Sequence, residues 1–351
     1  GPNRMICRPG VLCTMPPIDV LSLIQPSGEI HLGNYFGAVR NWVRLQDEHR
    51  CLFGIVDYHA ITVPFEPKKL RERTWDMAID LQACGLDPDK SLLIIQSLVP
   101  EHCELEWIFS CITPYSWAAK MTQFKDKARE VEAKGESFSA GLLAYPILQA
   151  ADILIYKAAR VPVGKDQNQH LELARDVARV FNRQFGEIFP EPQPIHTPTP
   201  KILSPADPAK KMSKSLGSKH VIGVFDEPAV IRKKVKSAVT DTGEAPADGS
   251  LSAGVEGLLT LLRAAGHEAQ ADDFTTRFAA GDRKYAPLKE AVADVLVDVT
   301  EPLRERRKEL RADRKAVKNQ LKRSSAEARE IARETMREVR DLIGLPPLPR
   351  A

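Results

Sequence analysis

Four groups of residues in this chain have types and spacings that could do chemistry. The stretch PSGEIHLGNYFG, residues 26–37, crowds glycines and a histidine into the turn between an apolar run and a helical pattern. Gly28 and Gly33 would let a ligand approach the backbone closely. The helix start beyond them offers unpaired N–H groups and a partial positive charge, which suit phosphate. The His31 imidazole can donate to a phosphate oxygen, and Asn34 can point the same way along the helix. A histidine at a helix start also serves as a cap, and that reading stays open. The run KMSKS, Lys211 to Ser215, sets Lys210, Lys211 and Lys214 beside two hydroxyls. Taken alone it reads equally as a solvated basic loop. GKDQNQH, Gly164 to His170, is a further polar strand-to-helix turn. Asp152 interrupts the apolar stretch LLAYPILQAADILIY. A carboxylate there must find a donor or lose stability. A capped backbone, Lys157 or a ligand could supply it, and Tyr145 in the same stretch could be a core aromatic or a pocket residue.

Polar turns converge only if strands and helices bring them together. Apolar segments at 20–24, 52–56 and 92–96 alternate with helical patterns at 33–48, 68–84 and 101–112. That alternation predicts an α/β fold with a doubly wound parallel sheet, whose ligands bind beyond the carboxyl ends of the strands. Helical patterning continues over 116–150. Apolar segments follow at 153–156 and 161–163, then a helix over 166–185. Prolines cluster from 190 to 208, marking a boundary or extended connection. Beyond 218 helices dominate, at 229–239, 257–265, 288–311 and 324–343. For the last, Ser324 and Glu327 form a capping-box pattern, and Gly344 with Pro346 supplies the stop.

This reading predicts a mobile extension over 1–16 and a Rossmann-like domain over 17–204 with a helical insertion at about 101–150. The KMSKS loop spans 205–218, and a helical domain occupies 219–351, its final helix packing back on the first domain. The 351 residues carry a net charge of +3, so any nucleic-acid contact must come from local patches. One such patch is the basic run from Arg304 to Arg323, where Arg311, Arg314 and Lys318 are the expected phosphate contacts. The six cysteines lack paired spacing and read as reduced thiols, pointing to a cytoplasmic protein. His102 and Cys103 lack further ligands at workable spacing, so no protein-held metal is expected. No apolar run reaches membrane-spanning length.

Together the motifs resemble class I aminoacyl-tRNA synthetases. HLGN is similar to their HIGH motif, and KMSKS is their second motif letter for letter. The finer resemblance is to the tryptophanyl-tRNA synthetase family. It is carried by IQPSGEIHLGNYFGAV, IVDYHAIT, KMTQFKDKA, SAGLLAYPILQAADILIY, VPVGKDQNQHLELARDVARVFN and KKMSKS, in the family's order. It covers residues 21–239 well and the helical tail more loosely.

The resemblance implies two steps. The tryptophan carboxylate attacks the α-phosphorus of ATP, releasing pyrophosphate, and the acyl group then passes to the terminal ribose of tRNA(Trp). It assigns His31, Asn34, Lys125, Lys211 and Lys214 to catalysis, with magnesium carried by ATP. Gln25, Pro26, Ser27, Gly33, Gly164, Lys165, Asp166, Ile202, Met212, Ser213 and Ser215 complete the ATP set. Tyr145, Gln149, Gln167, Gln25 and His59 would bind tryptophan, and Asp152 would accept the indole N–H. A homodimer joined through the helical insertion is also implied.

Two positions depart from the pattern. Leu23 stands where the family usually has glycine, and Gln149 where many members have methionine. A glutamine there is similar to tyrosyl-tRNA synthetases, which keeps tyrosine as an alternative substrate. A non-catalytic paralogue and a small-molecule adenylyltransferase are further alternatives. The first should show eroded motifs, and the second should lack the helical tail.

Overall fold

The computed structural model describes residues 17–164, 168–241 and 249–349. Five parallel strands form one sheet: β1 Val20–Ile24, β2 Cys51–Ile55, β3 Leu92–Ile95, β4 Arg160–Val163 and β5 Gln193–His196. Their order is β3-β2-β1-β4-β5, the doubly wound arrangement. Strand side chains are buried on both faces. Val20, Phe53, Ile55, Leu93 and Ile95 join one core, while Leu21, Leu52, Leu92 and Ile94 join another. Burial on both sides explains why the sequence shows near-continuous apolar runs and no alternation.

One strand reading needs correction, and one strand was not predicted. Residues 153–156 are the end of a helix and the turn after it. The proline cluster contains β5, whose Pro194 is tolerated because an edge strand needs donors on one side only.

The helices in the first half are α1 Leu32–Asn34, α2 Arg40–Glu48, α3 Asp57–Ala60, α4 Pro67–Ala83, α5 Glu101–Ile112, α6 Tyr115–Ala119, α7 Thr122–Ala133, α8 Ala140–Leu154 and α9 Gln169–Phe185. A π-helical turn, Tyr35–Val39, joins α1 to α2. The single pattern over 116–150 is therefore three helices, interrupted near Met121 and again at Gly135, whose φ is 76°. After the sheet come α10 Pro228–Lys236, α11 Ala253–Ala264, α12 Glu268–Ala279, α13 Ala286–Ala312 and α14 Arg314–Ile343. The polar helix α12 had no counterpart among the predicted elements.

The capping box predicted at Ser324 does not form, because Ser324 lies inside α14, a helix of 30 residues capped by Asp313. The two serines serve the sheet instead. Ser324 Oγ accepts from the Leu93 N–H at 2.9 Å, and Ser325 Oγ from the Ile95 N–H at 3.2 Å. The free edge of β3 is thus covered by hydroxyls on a helix distant in sequence. Ala328, Ala332, Met336 and Val339 of α14 join the core on that face.

The basic run divides in the same way. Arg304 and Arg307 are buried. Arg314 pairs with Asp76 at 2.9 Å, and the Lys318 ammonium sits 5.3 Å from the Trp75 ring centre, so both are anchored on α4. These residues lie where the helical part meets the sheet part, with Arg314 itself exposed and Lys318 half-buried. Arg311, Lys315, Lys322 and Arg323 are exposed.

Candidate active site

The first turn closes on itself. His31 is the N-cap of α1, and its Nδ1 accepts from the Asn34 N–H at 3.2 Å. Asn34 Oδ1 accepts in return from the His31 N–H at 3.3 Å. The capping role left open in the sequence is therefore present. It does not exhaust the ring. With Nδ1 accepting, Nε2 carries the proton of the neutral imidazole and can donate. Burial, followed by the charge of Lys214, pushes the His31 pKa down to about 4, so the ring is neutral near pH 7. A Cβ on Gly33 would lie 2.8 Å from His31 Cε1. Glycine is what allows the imidazole to lie across the helix start.

The second motif is held against this turn. Leu32 N–H donates to the Ile222 carbonyl and Val224 N–H to the Ile30 carbonyl, both at 3.0 Å. Met212 is buried, and its N–H donates to the Ile202 carbonyl at 2.9 Å. Ile202 is itself buried, with that carbonyl engaged. Lys214 lies over the first turn, with Nζ 3.7 Å from where a Cβ on Gly28 would sit. Burial pulls the Lys214 pKa down, while Asp80 and Glu29 pull it up. Lys211 and Ser215 are exposed, and Ser213 and Ser215 share a 2.9 Å hydroxyl contact.

Between these motifs the sheet opens. Strands β1 and β4 are paired only at Val20 and Arg160. Beyond that point they diverge, and Leu21, Ser22 and Leu23 face Val161, Pro162 and Val163 across a cleft of about 250 Å³. This is where the strand order reverses, the expected ligand position. Gln123, Gln149, Ile153, Gly164, His170 and Leu171 complete the wall. Leu23 is accommodated by its neighbour. It pairs with Gly54 on β2, where a Cβ would come within 2.8 Å of Leu23 Cδ2.

Asp152 lies beneath this cleft and is not part of its lining. Its carboxylate is fully buried and takes three side-chain partners. Gln96 Nε2 donates to Oδ1 at 2.7 Å, His102 Nδ1 contacts Oδ1 at 2.6 Å, and His59 Nε2 contacts Oδ2 at 2.6 Å. Tyr156 Oη lies 2.6 Å from His102 Nε2. Burial alone would raise the Asp152 pKa, but the two histidines outweigh it and hold the carboxyl down at about 2. The partners considered from sequence, Lys157 and the backbone, are not used. Lys157 pairs with Glu338 at 2.9 Å. His59, expected among substrate contacts, is held by Asp152.

Tyr145 is also buried below the surface. Its hydroxyl donates to Gln123 Oε1 at 3.1 Å and lies 3.4 Å from His170 Nε2. It therefore supports two residues that do line the cleft. Gln25, Pro26 and Ser27 follow β1 at the mouth of the first turn. Lys125 is exposed on α7, two residues beyond the cleft-lining Gln123. Lys165, Asp166 and Gln167 lie outside the described residues. Sequence reasoning missed Ser22, Gln123 and His170 at the cleft, and Gln96 and His102 beneath it. Gln123 and His170 stand as polar letters inside the quoted blocks, whereas Ser22, Gln96 and His102 lie outside them.

Residues 15–301 match the family model described as tRNA synthetases class I (W and Y). The chain is 48% identical over 286 residues to tryptophan–tRNA ligase 2 of Streptomyces avermitilis, covering 80% of this chain and 82% of that one. Among solved structures it is similar to tryptophanyl-tRNA synthetase from Campylobacter jejuni complexed with ADP and tryptophan. That match has a TM-score of 0.79 and 34% identity, covering 93% of this chain and 100% of that chain. The enzyme from Mycoplasma pneumoniae matches with a TM-score of 0.81 and 33% identity, over 94% and 99%. With the doubly wound sheet, the paired motifs and the cleft between them, the chain belongs to the class I tRNA synthetases of the tryptophan and tyrosine family.

Proposed function

We infer that the chain activates L-tryptophan with ATP and transfers the tryptophanyl group to tRNA(Trp). The observation that carries this reading is the cleft between β1 and β4, flanked by the His31 turn and the Lys214 loop. The tryptophan carboxylate would attack the α-phosphorus as the bond to the pyrophosphate oxygen breaks. No protein nucleophile is needed, so catalysis rests on positioning and charge. His31 Nε2–H and the α1 N-terminus would hold the nucleotide phosphates. Lys214 and Lys211 would meet the charge that grows on pyrophosphate, with Lys125 reaching in from α7. Magnesium would arrive on the triphosphate. Among the described residues no group of three His, Cys, Asp or Glu side chains could hold a metal ion.

The tRNA would approach the exposed cations Arg311, Lys315, Lys322 and Arg323. A homodimer through the α5–α6 face is part of the same reading, supported by Trp107 and Tyr115, which are 69% and 71% exposed. No helix among the described residues is long and apolar enough to cross a membrane. A cytoplasmic location is part of the same reading, since ATP and tRNA are both available there.

Pyrophosphate–ATP exchange tests the reading. Tryptophan should stimulate exchange about 100-fold or more above tyrosine or phenylalanine at equal concentration. Preferential stimulation by tyrosine would move the chain to the other branch of the family. No exchange with any amino acid would point to a non-catalytic paralogue.

The fit of Leu23 over Gly54 gives a second test. Gly54→Ala should press the Leu23 side chain toward the cleft, an overpacking cost of about 1–2 kcal/mol. The KM for tryptophan should rise about tenfold while the KM for ATP holds, since 1.4 kcal/mol corresponds to a factor of about ten. Exchange kinetics would show this. An unchanged KM for tryptophan would mean that Leu23 yields in the other direction.

A further inference from the structure

We propose that the hydrogen bond between Ser204 and His220 is a clamp across the base of the KMSKS loop that positions Lys214 for adenylate formation; the inference rests on the ligase reading above. The two residues flank that loop, sixteen positions apart, and Ser204 Oγ lies 2.8 Å from His220 Nδ1. The chemistry of the hydroxyl fixes the direction of the bond. Ser204 Oγ already accepts from the Ala206 N–H at 3.2 Å and the Asp207 N–H at 3.1 Å, which takes both lone pairs. Its remaining capacity is its proton, so Ser204 donates and the His220 Nδ1 lone pair accepts. Ser204 is 2% exposed and His220 is half-buried, whereas Lys211, Ser215, Gly217 and Lys219 are exposed. The loop is joined below its surface and open above it.

Backbone contacts show what the clamp adds. Residues 202–204 and 210–212 form a short antiparallel ribbon. Ser204 N–H donates to the Lys210 carbonyl and Met212 N–H to the Ile202 carbonyl, both at 2.9 Å, with Leu203 opposite Lys211. The ribbon therefore fixes Lys211. Lys214 lies beyond it, where its carbonyl accepts from the Gly217 N–H at 3.1 Å, inside the loop. On the far side of the loop, Gly223 lies opposite His31, and the Ile222 carbonyl accepts from the Leu32 N–H. The Ser204–His220 bond joins the ribbon to this second anchor. It shortens the free span that carries Lys214 and ties that span to the His31 turn. An ammonium held in place before reaction loses no further freedom as charge builds on pyrophosphate, so the clamp acts on the rate of adenylate formation.

Single-turnover adenylate formation by the full-length protein tests the clamp. His220→Ala removes the acceptor and should slow that step about five- to tenfold, the effect of one lost hydrogen bond. The KM for tryptophan should hold, because neither residue lines the β1–β4 cleft. His220→Asn places an amide oxygen near the Nδ1 position and should restore the rate to within about twofold. In a Lys214→Ala background, His220→Ala should slow the step by less than about twofold further, because the clamp acts through that ammonium. Trypsin gives a readout independent of activity. It should cleave after Lys211 or Lys214 about fivefold faster in His220→Ala than in the unaltered protein. Equal cleavage, or a full further loss in the Lys214→Ala background, would overturn the proposal. So would failure of His220→Asn to restore the rate. An unaltered protein that forms no tryptophanyl-adenylate would overturn the ligase reading and this inference with it. Adenylate formed equally fast by the unaltered protein and by His220→Ala overturns this inference alone.

Discussion

Lys214→Ala should slow single-turnover formation of tryptophanyl-adenylate by about 10²–10³-fold, the usual consequence of removing one preorganised charge from a transition state. The position of the ammonium is the basis. It lies over Gly28 in the first turn, close to His31, whose proton affinity it lowers. Negative charge grows on the departing pyrophosphate as the reaction proceeds, so the interaction is worth more in the transition state than in the ground state. Tryptophan affinity should be unchanged, because the β1–β4 cleft does not include Lys214. Rapid-quench measurement of adenylate, with equilibrium binding of tryptophan alongside, separates the two quantities. A normal single-turnover rate would remove Lys214 from the chemistry.

The second large effect concerns stability. Arg307→Met should cost about 3–5 kcal/mol at pH 8, as expected when one partner of a buried ion pair is removed. Arg307 Nε lies 3.0 Å from Asp80 Oδ1, with side-chain exposures of 9% and 1%. The guanidinium also pairs with Glu29 in the first turn and sits 4.3 Å from the Phe225 ring centre. One side chain of α13 thus joins the catalytic turn, α4 and the segment after the KMSKS loop. Burial pushes the Asp80 carboxyl from its ordinary 3.8 up to about 6, with Arg307 opposing that rise. Between those values the folded chain holds a proton that the unfolded chain releases. The contribution of Asp80 to stability therefore falls as pH rises from about 4 to about 6. Without Arg307, the carboxylate charged above pH 6 loses its paired cation and keeps only the weaker fields of Arg311 and Lys214, whereas at pH 5 it is mostly neutral. The loss in Arg307→Met should accordingly be smaller at pH 5 than at pH 8. Urea unfolding at both values would show it. An equal loss would mean that Asp80 is not the group left unpaired.

How far the letters alone reach differs from residue to residue. Local order and period determined the sheet: alternating apolar runs and helical patterns require parallel strands covered on both faces, and the structure has them. The two catalytic motifs were legible for a similar reason. Each is a short contiguous stretch in which glycine, histidine or lysine has few alternatives at that spacing. Tertiary structure decided what those residues touch. His31 caps its own helix and keeps one donor, a division that depends on a 3.2 Å contact. Ser324 and Ser325 looked like a helix start because a capping box is a local pattern, yet their hydroxyls bond to β3, more than two hundred residues earlier. The basic run looked like a surface for phosphate because charge can be counted in sequence, whereas burial cannot. Arg307 forms ion pairs with buried Asp80 and with the exposed Glu29, and Lys318 rests on Trp75. Asp152 is the sharpest instance. Its sequence position demanded a partner without naming one, and three side chains from α3, the turn after β3, and α5 supply it. Sequence determines which groups must be satisfied, because polarity and period are local properties. Which partner satisfies them depends on chain segments far apart in sequence, and only packing brings those together.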